Sequence, residues 1–454
     1  MPLVFVHGVA VRQSGTTQEQ QAVEARNAAL RHIAFADQVR PPAHLHIENP
    51  GWGDLGATFA WNLASVPTHH LSPAPETLPP PDAGWLALSA PPRSLPNAAT
   101  SRHPLLTLAR TTSLAHATDI AFAAAMTSPP APGHSDALAL LAARTIAYAD
   151  ANPRPAWLRH VRSDSTFLKR LVHEAIQWQN PQETGTGATE RATTCPEESL
   201  TAARDWLQAG VQQLAQNWNT LWRHLQDHAS NRIGDLSRPL IGALRPAATT
   251  AIGRFLGDVL VYLDERGTPE HPGPIVRRIL DAIETALQHR TAGDNRLYLM
   301  GHSMGGNILY DILTAYRPDI PCDLLITVGS QVGLLEELKI FKSSNPNIGA
   351  DRTIRRVPRP PGVAHWINLF DPNDVLGFGT EGIFADVTDC ALDIDTLPLL
   401  SHNLYFQRPR FYARLRAHIN GALHTTRPAQ EETLAPWHSG HRNNAGKASQ
   451  KLAD

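Results

Sequence analysis

The sequence predicts an α/β fold, in which a mostly parallel β-sheet is flanked by helices. Short apolar runs rich in β-branched residues alternate with helical stretches up to about residue 60 and again from about residue 250. In addition, the run RLYLMGHSMGGNILYDIL passes from a buried strand through a glycine-rich turn directly into an apolar helix. Strands that follow one another through helices form parallel sheets.

The N-terminal part of the chain supplies the first two predicted strands. Residues 3–6 form a short apolar run that ends in His7 and Gly8, and the Gln- and Ala-rich stretch 17–36 predicts a helix. A second strand is predicted over 44–48, before the turn formers of NPGWGD. The opening MPLVFVHG is interpreted as a strand and not as a signal peptide, because it lacks a charged start and a long apolar run.

The middle of the chain, residues 61–245, predicts a Pro/Ala-rich and helical cap inserted into the core. Residues 65–135 are dense in Pro, Ser, Thr and Ala, and helices are predicted over about 155–179 and 196–229. The tryptophans of these helices could face lipid, but packing within the cap is the favoured interpretation because aromatic stripes are usually core. These tryptophans are Trp157, Trp178, Trp206, Trp218 and Trp222.

The core is predicted to resume over 246–425, whereas residues 426–454 lack periodicity and predict a disordered tail. Apolar runs in this second part predict strands, and the segments that follow the first and the last of them predict helices. The predicted strands are 296–300, 323–328 and 366–370, and the predicted helices are 304–316 and 411–423.

Composition excludes several classes of protein. The 454 residues carry 40 Lys and Arg against 42 Asp and Glu, which is unlike the basic excess of nucleic-acid-binding proteins. No apolar run approaches the roughly 18 residues of a membrane span, and the polar face of the helix predicted over 196–229 is rich in Gln, so no stable membrane anchor is expected. Cys195, Cys322 and Cys390 lack CxxC spacing, which favours a reducing compartment. We therefore expect a cytoplasmic protein, or one that is exported without a signal peptide.

The strongest chemical signal is the G-x-S-x-G sequence of Gly301, His302, Ser303, Met304 and Gly305. By itself such a pentapeptide also fits a plain glycine-rich turn. Between a buried strand and a helix, however, it predicts a strained turn that presents the serine at the C-terminal edge of the sheet, with glycines where side chains would clash. We therefore expect Ser303 to be a nucleophile.

A serine nucleophile needs a base and an acid, which in this arrangement follow it in the order Asp or Glu, then His. WINLFDPNDVLG is an apolar strand that ends in Asp371 and Asp374. Asp371-Pro-Asn-Asp suits a type I turn, so Asp371 is assigned to structure and Asp374 to the triad, with Asp371 as the alternative acid. His402 is the predicted base, because it lies in a loop just before the last helix.

Two backbone N–H groups are expected to stabilise the oxyanion of the reaction. Met304 follows the nucleophile at the start of a helix, and Val9 lies in the loop after the first strand. His7 is expected to brace this loop. Trp52 and Asp54 could line the acyl pocket or close a tight turn, and the sequence leaves both readings open.

These motifs resemble the α/β-hydrolase superfamily, in the lipase and esterase branch that opens with strand-HG and carries GHSMGG. VFVHGVAVR, WGD, NLFDPNDVLG and SHNLY look like bacterial hydrolases related to the GPI inositol-deacylase-like and class 3-like lipases. The resemblance covers residues 1–55 and 250–423. It implies an α/β-hydrolase fold, no metal or organic cofactor, and hydrolysis of a carboxylic ester through an acyl-enzyme.

We therefore expect a serine ester hydrolase that acts on lipid, phospholipid or smaller esters. A thioesterase or an acyltransferase would use the same triad. The alternative from another class is a non-catalytic binding protein of this fold, although such proteins typically lose a triad residue. The sequence does not indicate the oligomeric state.

Overall fold

A computed structural model shows one open sheet of six parallel strands, in the order β2-β1-β3-β4-β5-β6. It describes residues 1–9, 17–61, 63–65, 101, 103–127, 135–178, 204–205, 237–291, 294–349, 356–394, 402 and 404–424. The strands are β1 (Pro2–Val6), β2 (His46–Glu48), β3 (Tyr298–His302), β4 (Cys322–Val328), β5 (Val363–Phe370) and β6 (Thr388–Ala391). The predicted α/β fold with a mostly parallel sheet is confirmed.

Helices cover both faces of this sheet. They are α1 (Thr17–Ala29), α2 (Pro104–Thr111), α3 (Leu114–Thr127), α4 (Ser135–Ala151), α5 (Asp164–Gln177), α6 (Ser237–Glu265), α7 (Pro274–Gln288), α8 (Met304–Asp311), α9 (Val332–Glu337) and α10 (Pro409–His424). Short π-helical turns extend α1 and α8, over Leu30–Ala34 and Ile312–Tyr316. Of the helices among the described residues, none is long and apolar enough to cross a membrane.

The four central strands, β1, β3, β4 and β5, are largely buried on both faces, so their side chains alternate between two core layers. In β1, Leu3 and Phe5 belong to a first layer, whereas Val4 and Val6 belong to a second. The first layer also contains apolar residues of α2 to α5 and α10, and the second contains residues of α6 to α9. Because side chains on both faces of these strands are kept from water, the strand sequences are nearly continuous apolar runs.

Five of the six strands match those predicted, with ends that move by one to three residues. β3 is displaced to Tyr298–His302 because its pairing with β4 begins at Tyr298 and Leu324. β6 was not predicted, because its sequence, TDCA, is short and polar. It is an edge strand that pairs only with β5 among the described residues.

The middle of the chain contains two helices that the sequence did not indicate. Residues 104–127 lie in the stretch that is dense in Pro, Ser, Thr and Ala, yet they form α2 and α3, and apolar side chains of both helices belong to the first core layer together with strand residues. The helix predicted over 155–179 is present as α5, after a 3₁₀ turn at Ala156–Arg159. The predicted tail and nearly all of the predicted helix 196–229 lie outside the described residues, so a cap over 61–245 stays a prediction.

Candidate active site

The turn between β3 and α8 holds Ser303 at the C-terminal edge of the sheet. Ser303 adopts φ 53° and ψ −125°, a conformation that side-chain-bearing residues rarely adopt. Its N–H donates to the carbonyl of Val328 at 2.8 Å, and its carbonyl accepts from the Ser330 hydroxyl at 3.0 Å. These bonds to β4 and to the residues after it hold the strained turn in place, as expected where strain is retained at a functional site.

Glycines make this turn possible because the neighbouring backbone approaches too closely for a side chain. A Cβ atom on Gly301 would lie 2.5 Å from the backbone nitrogen of Gly306, and one on Gly305 would lie 2.1 Å from the carbonyl oxygen of Val6. The second contact shows that α8 begins directly against the end of β1. The two glycines predicted for the elbow therefore lie where no Cβ fits.

The structure brings Ser303, His402 and Asp374 into one continuous chain of hydrogen bonds. The Ser303 Oγ lies 2.8 Å from the Nε2 of His402, and the Nδ1 of His402 lies 2.8 Å from the Oδ2 of Asp374. All three residues are buried; Ser303 is 1% exposed. Because the carboxylate can only accept, Nδ1 carries the proton of a neutral His402 and leaves Nε2 to accept from the serine hydroxyl.

Asp374 is held as an ionised acceptor. Burial by itself raises the pKa of this carboxyl, but hydrogen bonds from His402, from the backbone N–H of Leu376 and from the Tyr405 hydroxyl outweigh it, so that the pKa lies below its ordinary value. The Leu376 N–H donates to Oδ1 at 2.9 Å, and the Tyr405 hydroxyl donates to Oδ2 at 2.8 Å. A negative charge fixed beside His402 favours the imidazolium that would form if Ser303 gave up its proton.

Asp371, the alternative acid, points elsewhere. Its Oδ1 accepts from the N–H of Asn373 at 2.7 Å, and its Oδ2 accepts from the N–H of Ile394 at 3.0 Å. Burial raises the pKa of Asp371 above its ordinary value, against these hydrogen bonds. The carboxylate thus closes its own turn and anchors the chain after β6, and the carboxylate that accepts from His402 is that of Asp374.

His302, which precedes Ser303, supports the backbone of His402. Its Nε2 donates to the carbonyl oxygen of His402 at 3.0 Å. Burial, together with the nearby His402, lowers the pKa of His302 to about 3. His302 is therefore neutral at physiological pH and acts as a hydrogen-bond donor to a loop carbonyl.

The loop after β1 lies against Ser303. A Cβ atom on Gly8 would lie 2.7 Å from the Cβ of Ser303, so this loop passes close to the serine. His7 donates from Nδ1 to the carbonyl of Gly8 at 2.6 Å, and Trp52 donates from its indole to the carbonyl of His7 at 2.9 Å. The rings of His7 and Trp52 stack with their centroids 5.3 Å apart. Both residues brace the loop.

Val9 follows Gly8 and is partly buried against the second core layer, while Met304 is the first residue of α8. The first N–H groups of a helix have no partner within that helix, which suits Met304 as a donor to an oxyanion. The oxyanion role of Val9 and of Met304 stays a prediction. Asp54 forms an exposed ion pair with Arg278 on α7, and Arg278 also donates to the carbonyl of Gly51.

Two residues near the site were not singled out from the sequence. Tyr405 bridges the two aspartates, because its hydroxyl donates to Asp374 and accepts from the N–H of Asp371 at 2.8 Å. Gln331 donates from its amide to the carbonyl of Leu376 at 2.6 Å and so ties the acid loop to the start of α9. Tyr405 belongs to the same SHNLY sequence as His402, but its partners lie about 30 residues away in the chain, where no local pattern indicates them.

The arrangement can perform proton transfer coupled to nucleophilic attack. His402 can take the proton of Ser303 while Asp374 stabilises the resulting imidazolium, and a carbonyl carbon placed beside Oγ would then be attacked.

Neither the protein-family models nor the curated proteins include one that matches this sequence.

Proposed function

We propose that this protein is a serine hydrolase of the α/β-hydrolase type that cleaves carboxylic esters through an acyl-enzyme. The observation that carries the proposal is the buried hydrogen-bond chain from Asp374 through His402 to Ser303, with 2.8 Å at each step. A serine hydroxyl is a weak nucleophile, and a neutral imidazole oriented by a carboxylate is the arrangement that activates it.

The proposed reaction has two halves. In the first, the Ser303 Oγ attacks the ester carbonyl carbon, His402 takes the hydroxyl proton and returns it to the leaving alcohol, and an acyl-serine forms. In the second, water attacks the acyl carbon and gives a proton to His402, and His402 returns that proton to the Ser303 Oγ as the acid leaves. The backbone N–H groups of Met304 and Val9 are the candidate donors to the oxyanion in both halves.

The resemblance to lipases favours lipid or phospholipid esters over small soluble esters. A chain-length series of nitrophenyl esters, assayed with and without an interface, would separate these substrates. A thioesterase would prefer a matched thioester, and an acyltransferase would form the ester of an added alcohol.

A fluorophosphonate probe tests the proposal directly, because it modifies serines that are activated by an adjacent base. We expect wild-type protein to be labelled and Ser303→Ala to be unlabelled. Ser343→Ala is the matched control, because Ser343 is exposed on the protein and its hydroxyl bonds to Thr314 instead of a histidine. Circular dichroism confirms that each variant is folded. Unlabelled folded wild-type protein, or equal labelling of Ser303→Ala, would show that the proposal is wrong.

A further inference from the structure

A second group of chemically active side chains lies on the other end of the sheet from Ser303. His46 and Glu48 belong to β2, and His289 follows the last residue of α7. One possible ligand atom from each of the three lies within 4.8 Å of those of the other two. The proposed hydrolytic reaction assigns no role to any of them.

The fold explains why these three residues meet. His46 and Glu48 are two positions apart in a strand, so their side chains are on the same face. In the parallel pairing His46 lies beside Pro2 and Glu48 beside Val4. Val4 belongs to the second core layer, which also contains the apolar side of α7. His46 and Glu48 therefore project on the side of the sheet that α7 covers, and His289 reaches them from the end of that helix.

His46 contacts both other members of this group. The Nε2 of His46 lies 2.7 Å from the Oε1 of Glu48, with one proton between them. The rings of His46 and His289 lie with their centroids 3.7 Å apart. Ligands about 2.0 Å from one tetrahedral zinc ion lie about 3.3 Å from each other. The three candidate ligand atoms lie within 4.8 Å of one another, so a bound ion would draw them closer together.

We propose that His46, Glu48 and His289 bind one transition-metal ion, of which Zn²⁺ fits the donors best. Two imidazoles and one carboxylate are ligands typical of Zn²⁺, with water at the fourth position, whereas Ca²⁺ and Mg²⁺ prefer oxygen ligands alone. The side chains of His46 and Glu48 are 43% and 27% exposed, so an ion can reach them from solvent. The metal takes the place of the proton that His46 and Glu48 now share.

The position of the site indicates a structural and not a catalytic role. His46 pairs with the first residue of β1, whereas Val6, four residues further along β1, pairs with Gly301 beside the nucleophile. At about 3.3 Å per residue the metal site and Ser303 are more than about 13 Å apart along the strands. A bound ion would connect the edge strand β2 to α7, and would stabilise the folded protein because it binds that state preferentially.

Zinc titration of the full chain, after removal of any affinity tag and of adventitious metal by a chelator, tests the proposal. Calorimetry is expected to show one Zn²⁺ per chain and a rise in the unfolding temperature of about 2 °C at saturating zinc. His46→Gln and His289→Gln are each expected to weaken binding about 100-fold. His44→Gln is the matched control, because His44 is exposed two residues before His46 and lies outside the group; it is expected to bind zinc as the wild type does.

Cobalt supplies an independent measurement, because tetrahedral Co²⁺ gives visible absorption that depends on its ligands. We expect this spectrum in the wild type and in His44→Gln, and its loss in the His46→Gln/His289→Gln double variant, whose folding is checked by circular dichroism. The proposal is overturned if the wild type binds no zinc below about 100 μM, or if the folded double variant binds it as tightly as the wild type. Neither the zinc titration nor the cobalt spectrum depends on esterase activity, so the result is independent of the proposed hydrolase function.

Discussion

Two aspartates of one four-residue turn, Asp371 and Asp374, have opposite surroundings. The pKa of Asp371 is raised, chiefly by burial, and the pKa of Asp374 is lowered because hydrogen bonds outweigh burial. We expect Asp374→Asn to lower kcat about 10⁴-fold, because an amide cannot hold His402 in the reactive tautomer. Asp371→Asn keeps the hydrogen bond that His402 donates to Asp374, and we expect its kcat to stay within about tenfold of wild type. Ester hydrolysis by both purified variants measures this; a larger loss in Asp371→Asn would contradict the assignment.

Tyr405 is a positioning residue in the proposed site, since its hydroxyl contacts Asp374 and not the reacting atoms. Burial raises the pKa of Tyr405, so the hydroxyl stays a neutral donor. In Tyr405→Phe we expect kcat to fall about tenfold through loss of this hydrogen bond, with KM unchanged. Tyr412→Phe is the control, because the buried Tyr412 hydroxyl donates to the carbonyl of Phe406, outside the triad. Equal effects on kcat in the two variants would mean that Tyr405 is merely structural.

The lowered pKa of Asp374 also predicts how stability depends on pH. A carboxyl whose pKa is lower in the folded protein stabilises folding fully above its unfolded pKa of about 3.9, and this stabilisation is lost as the pH falls through the folded pKa. We therefore expect the unfolding free energy of wild type to fall more steeply between about pH 5 and about pH 3 than that of Asp374→Asn. Urea unfolding at several pH values measures both. Parallel pH profiles would show that Asp374 has no lowered pKa in the folded protein.

At the scale of single residues, the sequence predicted those candidate site residues that a local motif or their order along the chain indicates. Ser303 has a glycine-rich turn around it, and Asp374 and His402 follow in a fixed order. Their convergence could therefore be expected from the sequence alone. The bridge made by Tyr405 and the support that His302 gives to the His402 carbonyl depend on tertiary contacts. Neither contact leaves a periodic or spaced pattern in the sequence.

At the scale of elements, buried strands were predictable because both of their faces are apolar. The helix α3 was not, although its sequence LAHATDIAFAAAMT is strongly apolar. Most of its residues are buried, including polar Thr118 and Asp119, so it lacks the polar face whose alternation with an apolar face marks a surface helix. The strand β6 was missed for the opposite reason, since its four residues are too few and too polar to form an apolar run.

At the scale of the whole molecule, α2 to α5 have an unexpected relation to the sheet. They lie in the stretch predicted to be a cap, yet their apolar residues pack in the first core layer with those of β1 and β3. Helix α4 contacts α1 and α10. This part of the predicted insertion therefore contributes to the hydrophobic core of the sheet.

A buried ion pair tests this integration. Asp119 on α3 lies 2.8 Å from Arg408, just before α10, and both side chains are at most 5% exposed. Its second carboxylate oxygen accepts from the N–H of Arg410 at 2.9 Å. Asp119→Ala would leave a buried guanidinium without its carboxylate, and we expect a loss of about 3–5 kcal/mol in the free energy of unfolding.

If α3 belongs to the core, we expect this loss in a single unfolding transition of the described fold. The helices and strands that share the first core layer would then unfold together. Asp136→Ala is the control. Asp136 pairs with His32 across the surface and is 61% exposed, so its loss is expected to cost less than about 1 kcal/mol. Urea unfolding followed by tryptophan fluorescence and by circular dichroism measures both variants. An early, separate transition in Asp119→Ala would instead mean that α2 to α5 unfold as an independent unit, as a detachable cap would.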